Sequence, residues 1–185
     1  MFFKFQIIDV TLKKIKSQLA NMMTLSNLFL GGFSIIFTIQ GELNYSLFLI
    51  FSAALLDRFD GMVARKLKIE SELGKQLDSM SDIISFGVAP ALLLYQGIIH
   101  YFSSAGIFIT VFFIGCGAFR LARFNITENN CYFSGLPITA AGCILTFSYL
   151  GIQFIPAIIY LYLMIILSFL MISTLKVKKY DSETF

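Results

Sequence analysis

Residues 57–82 read DRFDGMVARKLKIESELGKQLDSMSD and set four aspartates and five basic residues between two long apolar segments. The uncharged run upstream of them begins near Tyr45 and stops at Leu56. Twelve residues at about 1.5 Å each cover only about 18 Å, whereas the hydrocarbon core of a bilayer is about 30 Å thick. A spanning helix must therefore continue through Asp57 to about Ala64. On helical geometry Asp57, Asp60, Gly61 and Ala64 then fall within about 100° of one another, with Ala53 and Ala54 extending that face inward. Downstream, about 20 residues of span counted back from Ile99 reach Met80. Gly74, Asp78, Ser81, Asp82 and Ser85 share one face there at steps of three and four. A short connection around KLKIESEL lets the two helices run antiparallel as neighbours, so that four carboxylates converge.

The rest of the chain supports this membrane setting. It is 57% hydrophobic and 16% aromatic over 185 residues, well outside the range of soluble domains. Apolar runs at 24–40, 44–65, 75–98, 105–123, 136–153 and 155–174 predict six transmembrane helices. The loops are short and no composition shift marks a boundary, so residues 1–185 are expected to form one all-α membrane domain. The N-terminal segment delays the first apolar run and offers no small-residue cleavage site, which argues against a cleavable leader. Within it Phe5, Ile8, Leu12, Ile15 and Leu19 recur at steps of three and four, away from Lys13 and Lys14. Residues 1–20 read either as an amphipathic helix lying on the membrane surface, which is our expectation, or as a plain basic juxtamembrane segment.

The fourteen Lys and Arg lie in the N-terminal segment, around the junction of helices two and three, at the end of helix four, or after helix six. The opposite connections, QGELNY, GIIHYFSS and GIQFIP, contain none. By the positive-inside rule both termini and the 57–82 stretch face the cytoplasm of a cell membrane. The net charge of +3 reports this orientation, with some attraction to anionic lipid, and gives no reason to expect nucleic acid. Cys116, Cys131 and Cys143 lack metal spacing and are read as packing residues. His100 falls in a loop on the far face, and Pro137 marks the start of helix five.

Carboxylates at this depth need compensation. One at the middle of a span costs about 2.5–3.5 kcal/mol, less near the interface, and several together repel. They could face water or pair with Arg58, Arg65, Lys66 and Lys75, but salt bridging has no need of glycine and alanine on the same face. Oxygen-only ligands without His or Cys suit a hard cation such as Mg²⁺, Mn²⁺ or Ca²⁺. Four carboxylates could hold two such ions, an arrangement used for phosphoryl displacement. Gly61, Ala64 and Gly74 leave room for a bulky ligand, and Arg65 offers a fork for a phosphate oxygen.

The pattern DxxDGxxAR, eight residues, then GxxxDxxxD is filled without a gap by Asp57, Asp60, Gly61, Ala64, Arg65, Gly74, Asp78 and Asp82. It resembles the signature of the CDP-alcohol phosphatidyltransferases, and a six-helix span fits that family along most of the chain. The resemblance implies transfer of a phosphatidyl group from a CDP-linked lipid to an alcohol, with release of CMP and with two divalent cations. It implies that Asp57, Asp60 and Asp78 ligate metal and that Asp82 joins them and acts as general base. Gly61, Ala64, Arg65 and Gly74 would frame the CDP group. It also implies a homodimer.

SDIISFGVAPALLLY after the signature, FRLARFN at 119–125 and FSGLPITAAG at 133–142 look like the phosphatidylserine synthase branch of the family. The expected partners are then CDP-diacylglycerol or a CDP-linked ether lipid, L-serine and membrane lipids. A zwitterionic acceptor needs a partner for its carboxylate. Arg120 and Arg123, at the cytoplasmic end of helix four, are suited to it, although both could be topology markers. Ser81, Ser85 and Asn125 are further candidates for serine contacts. Acceptors carrying phosphate call for a denser basic pocket, and helices five and six have no Lys or Arg before Lys176. A cation transporter would continue its polar path outward, but YSLFLIF and ALLLYQGII offer none.

Overall fold

In lipid a backbone amide finds no water, so apolar runs of this length close their hydrogen bonds within helices. The computed structural model describes the backbone of residues 2–67, 72–126, 132–173 and 176–178, and side chains at 18, 21–59, 62, 72–126 and 135–173. Among these residues the chain forms six helical rods. The first two are α1 (Phe2–Ile39) and α2 (Leu43–Leu67). The third is built of α3 (Glu72–Asp82), a π-helical segment (Ile83–Val88) and α4 (Ala89–Gly97). A 3₁₀ turn (Ile99–Phe102) leads into α5 (Ser103–Ile126), followed by α6 (Ile138–Tyr149) and α7 (Ala157–Ile172). Short strands β1 (Tyr132–Ser134) and β2 (Lys176–Lys178) pair antiparallel, Phe133 opposite Val177, and tie the segment after α5 to the one after α7. No alternating strand pattern in the sequence announces this ribbon.

Among the described residues three stretches, Asn21–Ile39, Glu72–Gly97 and Ile99–Ile126, are long and apolar enough to cross a membrane, and α6 and α7 are shorter apolar helices. Phe29, Phe33, Phe48, Phe108, Phe154 and Phe169 are exposed. A soluble protein does not leave so much aromatic surface in water, and lipid accounts for it. This is a membrane protein.

Two features depart from the expected outline. The backbone of α1 is one continuous helix, with no break between a surface segment and a first span, because no Gly or Pro occurs between Phe2 and Leu30 to interrupt it. The predicted face of Phe5, Ile8, Leu12, Ile15 and Leu19 lies outside the described side chains. The third rod, expected as plain α-helix, passes through the π segment. Pro90 explains this: it has no N–H to offer the carbonyl four residues back, that of Phe86, and its ring crowds that position.

The loosened turn is clasped by glycines. A Cβ at Gly142 of α6 would collide with the Phe86 carbonyl, and one at Gly31 of α1 with the Ser85 hydroxyl, so both helices lie directly against the π segment. Gly117 of α5 meets Ile138 in the same way. Phe86, Leu94, Phe113, Ile138, Leu145 and Met164 form the core around these contacts. At the far end of α1 and α2, a buried cluster joins Ser34 to Ser46 at 2.8 Å and Thr38 to Ser46 at 2.7 Å.

Candidate active site

The signature aspartates occupy the start of the third rod and the second half of α2. α1 packs along both α2 and α3, whereas α2 meets the third rod chiefly at the π segment and α4. Asp57 therefore faces Asp78 and Asp82 across a junction held from one side by α1. Carboxylate oxygens of Asp57, Asp78 and Asp82 all lie within 4.8 Å of one another. Asp57 and Asp82 are half-buried and Asp78 is exposed. Asp57 and Asp82 are also within hydrogen-bonding reach.

At an effective dielectric constant of about 20, two unit charges 4.8 Å apart repel by about 3.5 kcal/mol. Three such pairs make a strong demand for positive charge. The donor set is all oxygen, which suits a hard divalent cation. The backbone of Asp60, Gly61, Ala64 and Arg65 continues α2 past Asp57, but their side chains lie outside the described residues. Gly74 is half-buried in the first turn of α3.

The predicted acceptor residues take distinct positions. Ser81 and Ser85 are fully buried and their hydroxyls donate to α1, to the Thr24 carbonyl at 3.2 Å and the Asn27 carbonyl at 3.1 Å. Both fasten α1 to the turn that carries Asp82. Asn125 of α5 donates from Nδ2 to the Ser79 hydroxyl at 2.9 Å, beside Asp78, and so joins α5 to α3. Arg120 is only 7% exposed, lies within electrostatic reach of Asp82, and stands 5.9 Å over the Phe124 ring. Among the described residues its Nε has no hydrogen-bond partner.

Arg123 turns the other way. Its guanidinium donates to the carbonyls of Ile172 at 3.0 Å and Ser173 at 3.3 Å, capping the last turn of α7 where carbonyls lack helical partners. Nearby, Gly135 has φ +79° and is pressed against the Met171 and Ser173 carbonyls, a conformation and a space open only to glycine. Of the cysteines, Cys116 is buried, Cys143 of α6 lies within electrostatic reach of Asp57, and Cys131 is outside the described residues.

One wall of this region was not singled out from the sequence. Thr24, Asn27, Gly31, Ser34 and Thr38 of α1 recur at steps of three and four and are all buried. The pattern TxxNxxxGxxSxxxT is legible in an otherwise apolar helix, and a polar stripe at helical spacing was the available signal.

Comparison with known proteins agrees with the geometry. The model of the CDP-alcohol phosphatidyltransferase family matches residues 17–177. An archaetidylserine synthase of Methanothermobacter thermautotrophicus is 38% identical over 174 residues, 91% of this chain and 74% of that protein. A CDP-diacylglycerol–serine O-phosphatidyltransferase of Bacillus subtilis is 37% identical over 132 residues, covering 69% of this chain and 75% of the relative. The enzyme of that name from Methanocaldococcus jannaschii is 42% identical over 138 residues, 74% of this chain and 65% of the relative. With three of the signature aspartates, Asp57, Asp78 and Asp82, gathered at one junction and the family model spanning most of its length, the chain belongs to the CDP-alcohol phosphatidyltransferase family.

Proposed function

We propose that this protein transfers the phosphatidyl group of CDP-diacylglycerol, or of a CDP-linked ether lipid, to the hydroxyl of L-serine, giving the phosphatidylserine-type lipid and CMP. The observation that carries the proposal is the convergence of Asp57, Asp78 and Asp82 within 4.8 Å in a chain related to serine-transferring enzymes. Asp57, Asp60 and Asp78, with Asp82, would hold Mg²⁺ or Mn²⁺, and two bound cations would supply charge neutralisation for the diphosphate and the departing CMP.

The chain's own residues do the rest. Gly61, Ala64, Arg65 and Gly74 frame the CDP group, whose lipid tails stay in the bilayer. Asp82, held by the Ser81 and Ser85 anchors on α1, takes the proton of the serine hydroxyl as its oxygen attacks the phosphorus nearer the diacylglycerol. The buried Arg120 guanidinium pairs with the serine carboxylate. Arg123 and Asn125 support this site by fastening α5 to the end of α7 and to α3.

In this reading all six rods cross the cell membrane as one domain, with both termini and the aspartates at the cytoplasmic side, and two copies associate. The test gives purified protein CDP-diacylglycerol, Mn²⁺ or Mg²⁺, and serine, glycerol 3-phosphate or inositol phosphate in turn. CMP release with serine and a phosphatidylserine product are expected. Turnover confined to a phosphorylated acceptor overturns the serine assignment while leaving the transferase class.

A further inference from the structure

Four residues of the polar stripe on α1 have visible structural employment. Ser34 and Thr38 bond to Ser46, the Thr24 carbonyl receives Ser81, and Gly31 admits Ser85. Asn27 is different. Its side chain is completely buried, yet among the described residues neither Oδ1 nor Nδ2 has a hydrogen-bond partner. Only its backbone carbonyl is used, by the Ser85 hydroxyl at 3.1 Å. A buried amide left in this state carries the full desolvation penalty of both its polar atoms, and no water from the bilayer core relieves it.

Its place in the fold says what could. Asn27 is level with Ser85, one turn beyond the Asp82 level and on the α1 side of the third rod. Arg120 of α5, whose Nε also lacks a hydrogen-bond partner among the described residues, lies within electrostatic reach of Asp82. Two polar groups at least nine-tenths buried thus flank the turn that carries Asp82. An amide presents an acceptor and a donor side by side. The complement is a small molecule with adjacent donor and acceptor, and an α-ammonium beside an α-carboxylate is that arrangement. A phosphate, which only accepts, would leave Oδ1 facing negative charge. An amide also adds no charge next to three carboxylates.

We propose that Asn27 binds the acceptor amino acid, Oδ1 accepting from the α-ammonium and Nδ2 donating to one carboxylate oxygen, while Arg120 Nε donates to the other. The proposal rests on serine being the acceptor. It makes Asn27 a residue that selects a zwitterion over the phosphorylated alcohols of related chemistry.

The experiment uses the full chain in vesicles with CDP-diacylglycerol and Mn²⁺. Wild-type protein is assayed first; absence of turnover with serine fails the serine reading itself, separately from Asn27. Asn27→Leu, which keeps the volume and deletes both polar atoms, is expected to raise KM for serine about 10- to 100-fold, the worth of hydrogen bonds to charged groups. KM for CDP-diacylglycerol should stay within about twofold, and the thermal midpoint without substrates should hold or rise because two unmet polar groups are gone. An unchanged serine KM, an equal rise in the lipid KM, or a lowered midpoint overturns the proposal. Competition on unaltered protein provides an arm independent of folding. Ethanolamine and 3-hydroxypropanoate each lack one charged group of serine, and each is expected to compete at least about tenfold more weakly than serine binds. Equal competition by either removes the two-point contact.

Discussion

Replacing Asp57 by Asn separates what the aspartate cluster costs from what it does. Asn keeps the shape and removes one charge of the three that lie within 4.8 Å. At an effective dielectric constant of about 20, each lost repulsion is worth about 3.5 kcal/mol, or about 7 kcal/mol for the two pairs that Asp57 makes. Protonation limits the real gain. A carboxylate with an ordinary pKa near 3.9 takes up a proton at pH 7 for about 4 kcal/mol, so no repulsion larger than that persists. Metal-free Asp57→Asn is therefore expected to be more stable than wild type by about 1–4 kcal/mol, a rise in midpoint of at least about 2 °C for a chain of this size. Function moves the opposite way. Turnover should be lost, and the rise in midpoint that Mn²⁺ gives wild type should shrink sharply, because stabilisation by a ligand depends on its affinity for the native state. The assay is thermal unfolding of purified protein with chelator and across a Mn²⁺ titration, beside CMP release. A variant that is less stable than wild type in chelator, or that keeps wild-type turnover at limiting metal, would refute a cation site built on Asp57.

Asp82→Asn is expected to lower kcat by about 10²- to 10⁴-fold with little change in KM for CDP-diacylglycerol, as for a lost general base; recovery of the rate by excess Mn²⁺ would make Asp82 a ligand only. Arg120→Lys keeps the charge but loses the fork and should raise KM for serine, whereas Arg123→Gln should lower thermal stability by about 1–3 kcal/mol through the uncapped α7 carbonyls and leave serine KM unchanged. The reverse pattern would exchange their roles. Gly142→Ala places a methyl group against the Phe86 carbonyl and should destabilise the protein by about 1–3 kcal/mol, read as a lower midpoint; a neutral result would mean that α6 can withdraw from the π segment. Single cysteines at Glu72 and Ser103, in a background without the native three, should label from opposite faces of sealed vesicles, and labelling from one face would refute the six-span topology.

Much of this protein was legible in one dimension. Where the solvent is lipid, apolar length alone dictates helices, since each backbone group must find its partner within its own segment; the runs at 44–65 and 105–123 became α2 and α5 on that ground. The spacing of Asp57, Asp78 and Asp82 likewise announced a shared site, because a helix repeats its faces every three to four residues whatever lies around it. Periodicity says which residues share a face but not which neighbour the face meets. Ser81 and Ser85 shared a face with the aspartates in sequence, and only packing turned their hydroxyls to the α1 carbonyls. Arg120 and Arg123 looked equivalent three residues apart, until the end of α7 claimed one guanidinium and burial beside Asp82 enclosed the other. The π segment needed Pro90, Phe86 and Gly142 together, and Asn27 came into view only when its partners could be counted in space. Local hydrogen bonding is written along the chain. The pairing of buried polar groups between helices distant in sequence is decided by how those helices close upon one another.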